Sequence, residues 1–362
     1  MPRFQAKSDL RADLNQAVDA YFAETGLDPR GGWRMVLKTT FIVLWAAASW
    51  AALVFWASSW AVAIPLMISL ALALSGIGFC VMHDGGHGSY AQQRPLNRVA
   101  AIAIDVLGGS SYVWNFKHNV LHHTYTNIEE ADDDIAFSPF FRLAPGQPRY
   151  VFHRLQWLYW PFLLCFLSTK WWLLDDYQAL ITGKVAGHKM PRPGKGDLAV
   201  LFGGKLASFL WIYAIPLAYV DVLPYVIGHV IVASVWGFTM GAVFQLAHAV
   251  EGASFYPPVE EGNPPLPWAE HQIATTVDFG RSNRLLTWFV GGLNFQVEHH
   301  LFPKISHLHY PQLAVIVREV AARHGVEVLE QPSLTQGLLG HVRYLYRLGH
   351  PEPSPKPVPV AA

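Results

Sequence analysis

Charge is scarce in this chain. Only 14% of its 362 residues are Asp, Glu, Lys or Arg, and 26 basic residues are matched by 26 acidic ones. A formal net charge of zero removes the bulk attraction that a nucleic-acid partner needs. Cysteine is scarcer still: Cys80 and Cys165 are the whole complement, both inside apolar stretches, so they read as buried free thiols with no disulfide framework. The first 34 residues are polar and carry no apolar h-region, which does not match a signal peptide. What replaces charge is apolar surface. With 52% hydrophobic residues and 14 Trp, the composition is that of a polytopic membrane protein.

Residues 39–58 are apolar and free of charge, and residues 60–82 follow at once. Each stretch has about the 20 residues needed to cross a hydrocarbon core, and the short join predicts a tight hairpin. A second pair, residues 198–220 and 223–247, turns around Asp221, with Lys205 near one end and able to snorkel. Residues 99–113 are shorter and contain Gly108-Gly109, which predicts a re-entrant or interfacial segment. Residues 155–169 are also short for a span, and residues 137–180 mix aromatic with basic side chains, as interfacial helices do. Leu10, Leu14, Val18 and Phe22 recur every four residues and predict an amphipathic helix, lying on the membrane or on the protein itself. Residues 251–267 read as a Pro- and Gly-rich loop and residues 350–362 as an extended Pro-rich tail. The expected fold is therefore all-α and integral to the membrane: four transmembrane helices in two hairpins, interfacial helices, and a His-rich cap. A cytosolic arm (1–34) would precede the membrane domain (35–325), and a C-terminal extension (326–362) would follow. Neither tight turn contains Lys or Arg, so the positive-inside rule places the cap in the cytosol.

Histidine is the residue that is patterned. His83 and His87 stand at i, i+4; His118, His122 and His123 at i, i+4, i+5; Gln296, His299 and His300 at i, i+3, i+4. On a helix each set shares one face, and imidazole pairs of this spacing present two nitrogens to one metal ion. His248 falls at the end of a predicted span, on the side of these boxes, and joins them as an eighth candidate ligand. Eight nitrogens are too many for one ion and suit two with open positions. Asp84 and Asp278 are candidates to accept the second ring N–H of a ligating His, whereas Asp132, Asp133 and Asp134 also read as a solvated turn. His153, His188, His229, His307 and His309 read as ordinary polar residues, and His271 as either a hydrogen-bonding residue or a ligand.

HxxxH, HxxxHH and QxxHH, in that order from His83 to His300, resemble the membrane fatty acid desaturases, and the Gln of the third box resembles their front-end branch. The resemblance spans roughly residues 35–325 and includes Trp268-Ala269-Glu270-His271-Gln272, Thr275-Thr276 and Gly291-Gly292-Leu293-Asn294-Phe295-Gln296. It implies two irons held by the boxed His83, His87, His118, His122, His123, His299 and His300, which His248 would join by its place at the end of a span, with Gln296 holding a metal-bound water or shaping the site. It implies O2-dependent insertion of a double bond into a long fatty acyl group, linked to CoA or to a lipid, on the carboxyl side of an existing one. The chain carries neither a His-Pro-Gly-Gly haem loop nor a flavin or nicotinamide fingerprint. Electrons would come from a separate ferredoxin or cytochrome b5, docking near Lys117, Arg281, Arg284 or Lys304.

Rival readings are a di-iron hydroxylase of alkyl or carotenoid substrates, which would use the same boxes, a membrane zinc hydrolase, and a non-catalytic membrane protein whose histidines only satisfy polar needs and bind no metal. The hydrolase would want HExxH, which does not occur. Gln296 and the preceding Gly-Gly-Leu-Asn-Phe favour desaturation over hydroxylation.

Overall fold

The computed structural model describes residue 4, residues 8–258, residue 264 and residues 266–350. The Pro-rich tail and part of the 251–267 loop lie outside these residues. Among the described residues, four helices are long and apolar enough to cross a membrane: α2 (Gly32–Phe55), α3 (Trp60–His87), α8 (Lys195–Tyr219) and α9 (Val222–His248). At 1.5 Å per residue, 24 residues cover about 36 Å, enough for a hydrocarbon core of about 30 Å. α3 is the inner helix, 61% buried over its most apolar window against 22% for α2 and α8. It packs between α2 and α9, and Trp45 on α2 donates its indole N–H to Ser69 on α3 at 2.8 Å. The outer helices instead expose Phe41, Leu44, Phe202, Leu206 and Phe209, which is how a lipid-facing helix is coated.

The remaining helices gather at the end of the spans where α3 and α9 finish. α1 (Asp9–Thr25) starts on Ser8, whose hydroxyl accepts from Arg11 N–H, and ends on Gly26 at φ 65°. Its Leu10, Leu14 and Val18 are buried against Val317, Val320, Leu313 and Tyr310 of α13 (Tyr310–Arg323). The amphipathic arm therefore packs on the protein.

α4 (Arg94–Leu107) and α5 (Ser111–Tyr125) meet at 115°. The bend falls on Gly108 at φ 101°, a conformation that side chains with a Cβ resist. After the bend the chain runs back, so the second His box meets the first. α6 (Gln156–Leu164) and α7 (residues 167–182) follow, with Phe162, Leu174 and Ile181 exposed. Lys205 does not snorkel. It is buried, 2.7 Å from Asp176 and 2.6 Å from the Gly108 carbonyl. A buried carboxylate twenty-nine residues away in sequence outcompetes the route to solvent.

α10 (Trp268–Thr275), α11 (Arg284–Phe289) and α12 (Gln296–Leu301) carry the chain under the third box. Gly291 and Gly292 both have positive φ, and a Cβ on Gly291 would stand 2.4 Å from the Phe79 carbonyl. These glycines let the turn before α12 press onto α3. α14 (Leu334–Gly349) closes the chain, with buried Leu345 packed near Leu164 and Trp160 of α6.

Candidate metal centre

The three boxes and His248 converge from four elements. His83 and His87 end α3, and His248 is the last residue of α9. The second box lies on α5, where the backbone widens to a π-helical turn over Asn115–His122. A turn wider than 3.6 residues brings both the fourth and the fifth residue after His118 under it. The His118 ring is 5.3 Å from that of His122 and 4.7 Å from that of His123. The third box is α12 itself. Its first turn is held by Asp278, which accepts the Val297 N–H at 3.1 Å.

The rings sort into two principal groups, each with ligand atoms within 4.8 Å of one another. One comprises His83, His87, His118 and His299; the other comprises His122, His248 and His300. His123 lies between them: its Nε2 is 3.2 Å from that of His118, and its ring stacks 4.3 Å from that of His300. Seven of the eight histidines are buried, and His87 is half-buried.

Around this cluster, ring N–H groups point outward to fixed acceptors. His122 Nδ1 lies 3.1 Å from both carboxylate oxygens of Asp132. His248 Nδ1 faces the Thr275 carbonyl at 3.3 Å, His299 Nδ1 the Tyr310 hydroxyl at 3.1 Å, and His300 Nδ1 the Gln272 Oε1 at 2.8 Å. Donating Nδ1–H outward fixes the tautomer that leaves the Nε2 lone pair facing inward. Burial, reinforced by neighbouring imidazoles, holds His299 and His300 well below the ordinary His range. Both are therefore neutral near pH 7, the form that can ligate a metal.

The inner nitrogens are orphaned. Among the described residues, Nε2 of His83, His87, His299 and His300 and Nδ1 of His83 and His123 have no hydrogen-bond partner. A protein interior seldom leaves such atoms unsatisfied, and here several face one another across a few ångströms. A metal ion is the partner this donor set fits.

The remaining expected residues divide. Gln296 borders the second group, with its side-chain nitrogen 3.0 Å from His248 Nε2 and its Oε1 unpartnered. Asp84 stands 3.8 Å from His83 Nδ1 and accepts instead from His307 Nδ1 at 2.9 Å and from the Ser306 hydroxyl. Lys38 then donates to His307 Nε2 at 2.9 Å, making a buried Lys38–His307–Asp84 chain behind the first group. Asp278 meets no His ring among the described residues; its partners besides Val297 are Arg281 and Arg318. Asp132 does the orienting expected of Asp278. Asp133 and Asp134 pair with Lys117 at 2.7 and 3.3 Å, and Asp134 Oδ2 is also 3.4 Å from His122 Nδ1. His271, open in the sequence between hydrogen bonding and ligation, hydrogen-bonds: its Nε2 donates to the Thr126 carbonyl at 2.9 Å. Asp132→Ala should cost about 10–100-fold in metal affinity or activity, the usual effect of losing a residue that orients a ligating imidazole. Metal analysis of the purified variant checks this, and wild-type metal retention would count against it.

A cavity of about 90 Å³ borders His122, His248 and Gln296 and is walled by Leu164, Trp171 and Phe244. A small gap lined by Gly109, Trp171 and Trp236 touches it. Beyond Trp236 lies a cavity of about 490 Å³ between the spans, lined by Met67, Leu70 and Trp211.

Residues 58–332 match the fatty acid desaturase family. The chain is 39% identical, over 96% of its own length and 97% of the relative's, to an sn-1 linoleoyl-lipid 6-desaturase of Synechocystis. It is 36% identical to a protein of the same name from Arthrospira platensis, over 93% of this chain and 92% of that one. With an acyl-lipid (8-3)-desaturase of Physcomitrium patens it shares 32% identity over 93% of its length and 71% of the relative's. None of these names describes a hydroxylase. By its match along most of its length, the chain belongs to the fatty acid desaturase family and is a membrane-embedded desaturase of fatty acyl groups.

Proposed function

We propose that the two histidine groups hold two iron ions and that the substrate is a lipid-linked polyunsaturated precursor, desaturated on the carboxyl side of an existing double bond. The carrying observation is the double set of imidazoles, among which Nε2 of His83, His87, His299 and His300 has no partner among the described residues. His83, His87, His118 and His299 would hold one ion and His122, His248 and His300 the other, with His123 between them. Reduced iron supplies the O2-derived oxidant that an unactivated CH2 requires, which redox-inert zinc does not. The net reaction takes two hydrogens from adjacent CH2 groups and, with O2, two electrons and two protons, yields a double bond and two waters.

The chain's own residues do the positioning. Asp132, Thr275, Gln272 and Tyr310 hold the imidazoles in one tautomer. Asp84, anchored by Lys38 and His307, turns its second oxygen toward His83. The acyl chain would lie in the cavity beside Gln296 and His248, whose apolar walls exclude water. Its methyl end would run past Trp171 and Trp236 toward the larger cavity between the spans. The depth of that path would set which carbons lie beside the histidines.

The arginine and lysine distribution supports two hairpins with the His cap in the cytosol. The division into an arm (1–34), a desaturase domain (35–325) and an extension (326–362) belongs to the same proposal. The lipid-linked form and the front-end position follow the relatives' names at 39 and 36% identity. Electrons would come from a separate one-electron carrier such as ferredoxin or cytochrome b5.

The test is the fatty acid profile of a host making this chain together with a ferredoxin and its reductase, fed linoleic acid. Gas chromatography with mass spectrometry should show a new double bond between the carboxyl group and the existing ones. A hydroxylated product, or a new bond on the methyl side, would overturn the reading.

A further inference from the structure

A second opening reaches the histidine cluster from another flank. It is an open cleft of about 470 Å³ whose floor is Gly85, Gly86, His87 and Gly88, and it shares no lining residue with the acyl cavity. Its rim carries Arg30 from the loop before α2, Arg94 and Arg98 from α4, and Lys304 from the turn after the third box. Among the described residues, no lining residue is acidic. Arg98 is paired with Asp197 at 3.1 Å, but Arg30, Arg94 and Lys304 have no carboxylate within ion-pair distance among the described residues. The floor matters as much as the rim. His87 is the one histidine of the eight that is not fully buried, so this cleft is where the candidate metal centre comes closest to solvent.

The sequence suggested Lys117, Arg281, Arg284 and Lys304 for a docking role. Lys117 is neutralised by Asp133 and Asp134, and Arg281 by Glu330 at 2.7 Å. Arg284 does not line the cleft, and of the four only Lys304 does.

We propose that this cleft docks an acidic one-electron carrier protein, which delivers electrons at the half-buried His87 on the cleft floor. The inference rests on the desaturase reading, which requires two electrons per double bond. Each docking event would transfer one electron, the carrier's reduced iron being oxidised and the centre reduced, and two events complete a turnover. Three unpaired cations, Arg30, Arg94 and Lys304, from three separate segments around one opening suit an acidic protein face, for which charge complementarity raises the encounter rate and orients the complex. A lipid phosphate would meet the same cations but has no use for the imidazole edge beneath them. The acyl cavity on its separate flank leaves room for carrier and substrate together.

The experiment uses the full-length enzyme in nanodiscs of neutral phosphatidylcholine, with a plant-type [2Fe–2S] ferredoxin as the probe. Binding is measured against ionic strength for wild type, Arg94→Glu/Lys304→Glu and the milder Arg94→Gln/Lys304→Gln. The expected result is a Kd raised about ten-fold or more by charge reversal and less by neutralisation, as for losing charge pairs across an interface. The steep salt dependence of the wild type should flatten in both variants. Anaerobic reduction by stoichiometric dithionite followed by O2 should give the same product yield in all three enzymes. Equal ferredoxin affinity in wild type and variants would overturn the docking site. So would variants that lose only an interaction with nanodiscs containing phosphatidylglycerol, because the cleft would then be a headgroup site. Wild-type enzyme that forms no double bond after dithionite and O2 would overturn the desaturase reading itself, independently of the binding result.

Discussion

Replacing His122 by alanine is expected to abolish desaturation and to halve the iron bound per chain. His122 belongs to the smaller principal group, with His248 and His300, so its loss leaves two imidazoles where three stood. The group of His83, His87, His118 and His299 should still load one ion. His122 is also the ring oriented by Asp132, and Asp132 in turn accepts the N–H groups of Asn127 and Asp134. The substitution therefore unties the loop that follows the second box as well as removing a ligand. Elemental analysis of purified variant and wild type, beside the product profile of the host, checks both halves of the prediction. A variant that keeps both ions and full turnover would remove His122 from the centre.

Lys205→Ala should destabilise the fold by about 3–5 kcal/mol, the usual cost of leaving one partner of a buried ion pair without the other. Asp176 would be stranded. Burial already holds its carboxyl up at about 6 with the ammonium only 2.7 Å away. The lysine also donates to the carbonyls of Gly108 and Trp172, so removal orphans acceptors at the bend that returns α5 toward the first box. Activity should fall with stability for that reason. The double variant Lys205→Met/Asp176→Leu, which replaces the pair by apolar side chains of similar size, should recover most of the loss. Thermal unfolding in detergent reads both, and a stable Lys205→Ala protein would contradict the assignment of a buried pair.

These two cases mark the boundary of what the sequence makes visible. The boxes were legible because helical periodicity and metal-ligand spacing are local rules, and four long apolar runs are legible by length alone. Even there, the spacing His118, His122, His123 comes onto one face through a widened turn that no local pattern announces. Partners brought by tertiary folding were hidden. Lys38 reads as a charge before the first apolar run and His307 as one more polar residue after Pro303, yet they meet across 269 residues to hold Asp84. The orienting carboxylate for His122 is Asp132, inside a run that also reads as a solvated turn. Asp278 is spent on the backbone of the third box instead. Lys205 reads as a snorkelling residue only while Asp176 is out of view. The basic cleft is hidden for the same reason, because its four cations come from segments up to 274 residues apart, from Arg30 to Lys304.

The most direct measurement is Mössbauer spectroscopy of the enzyme loaded with iron-57, combined with a protein-based iron count. The structure leads us to expect two irons per chain in nitrogen-rich sites, both retained in wild type and one lost in His122→Ala. A single iron per chain, or iron that binds equally well once His83, His122 and His299 have all been replaced, would contradict the central claim that these histidines form a two-metal centre.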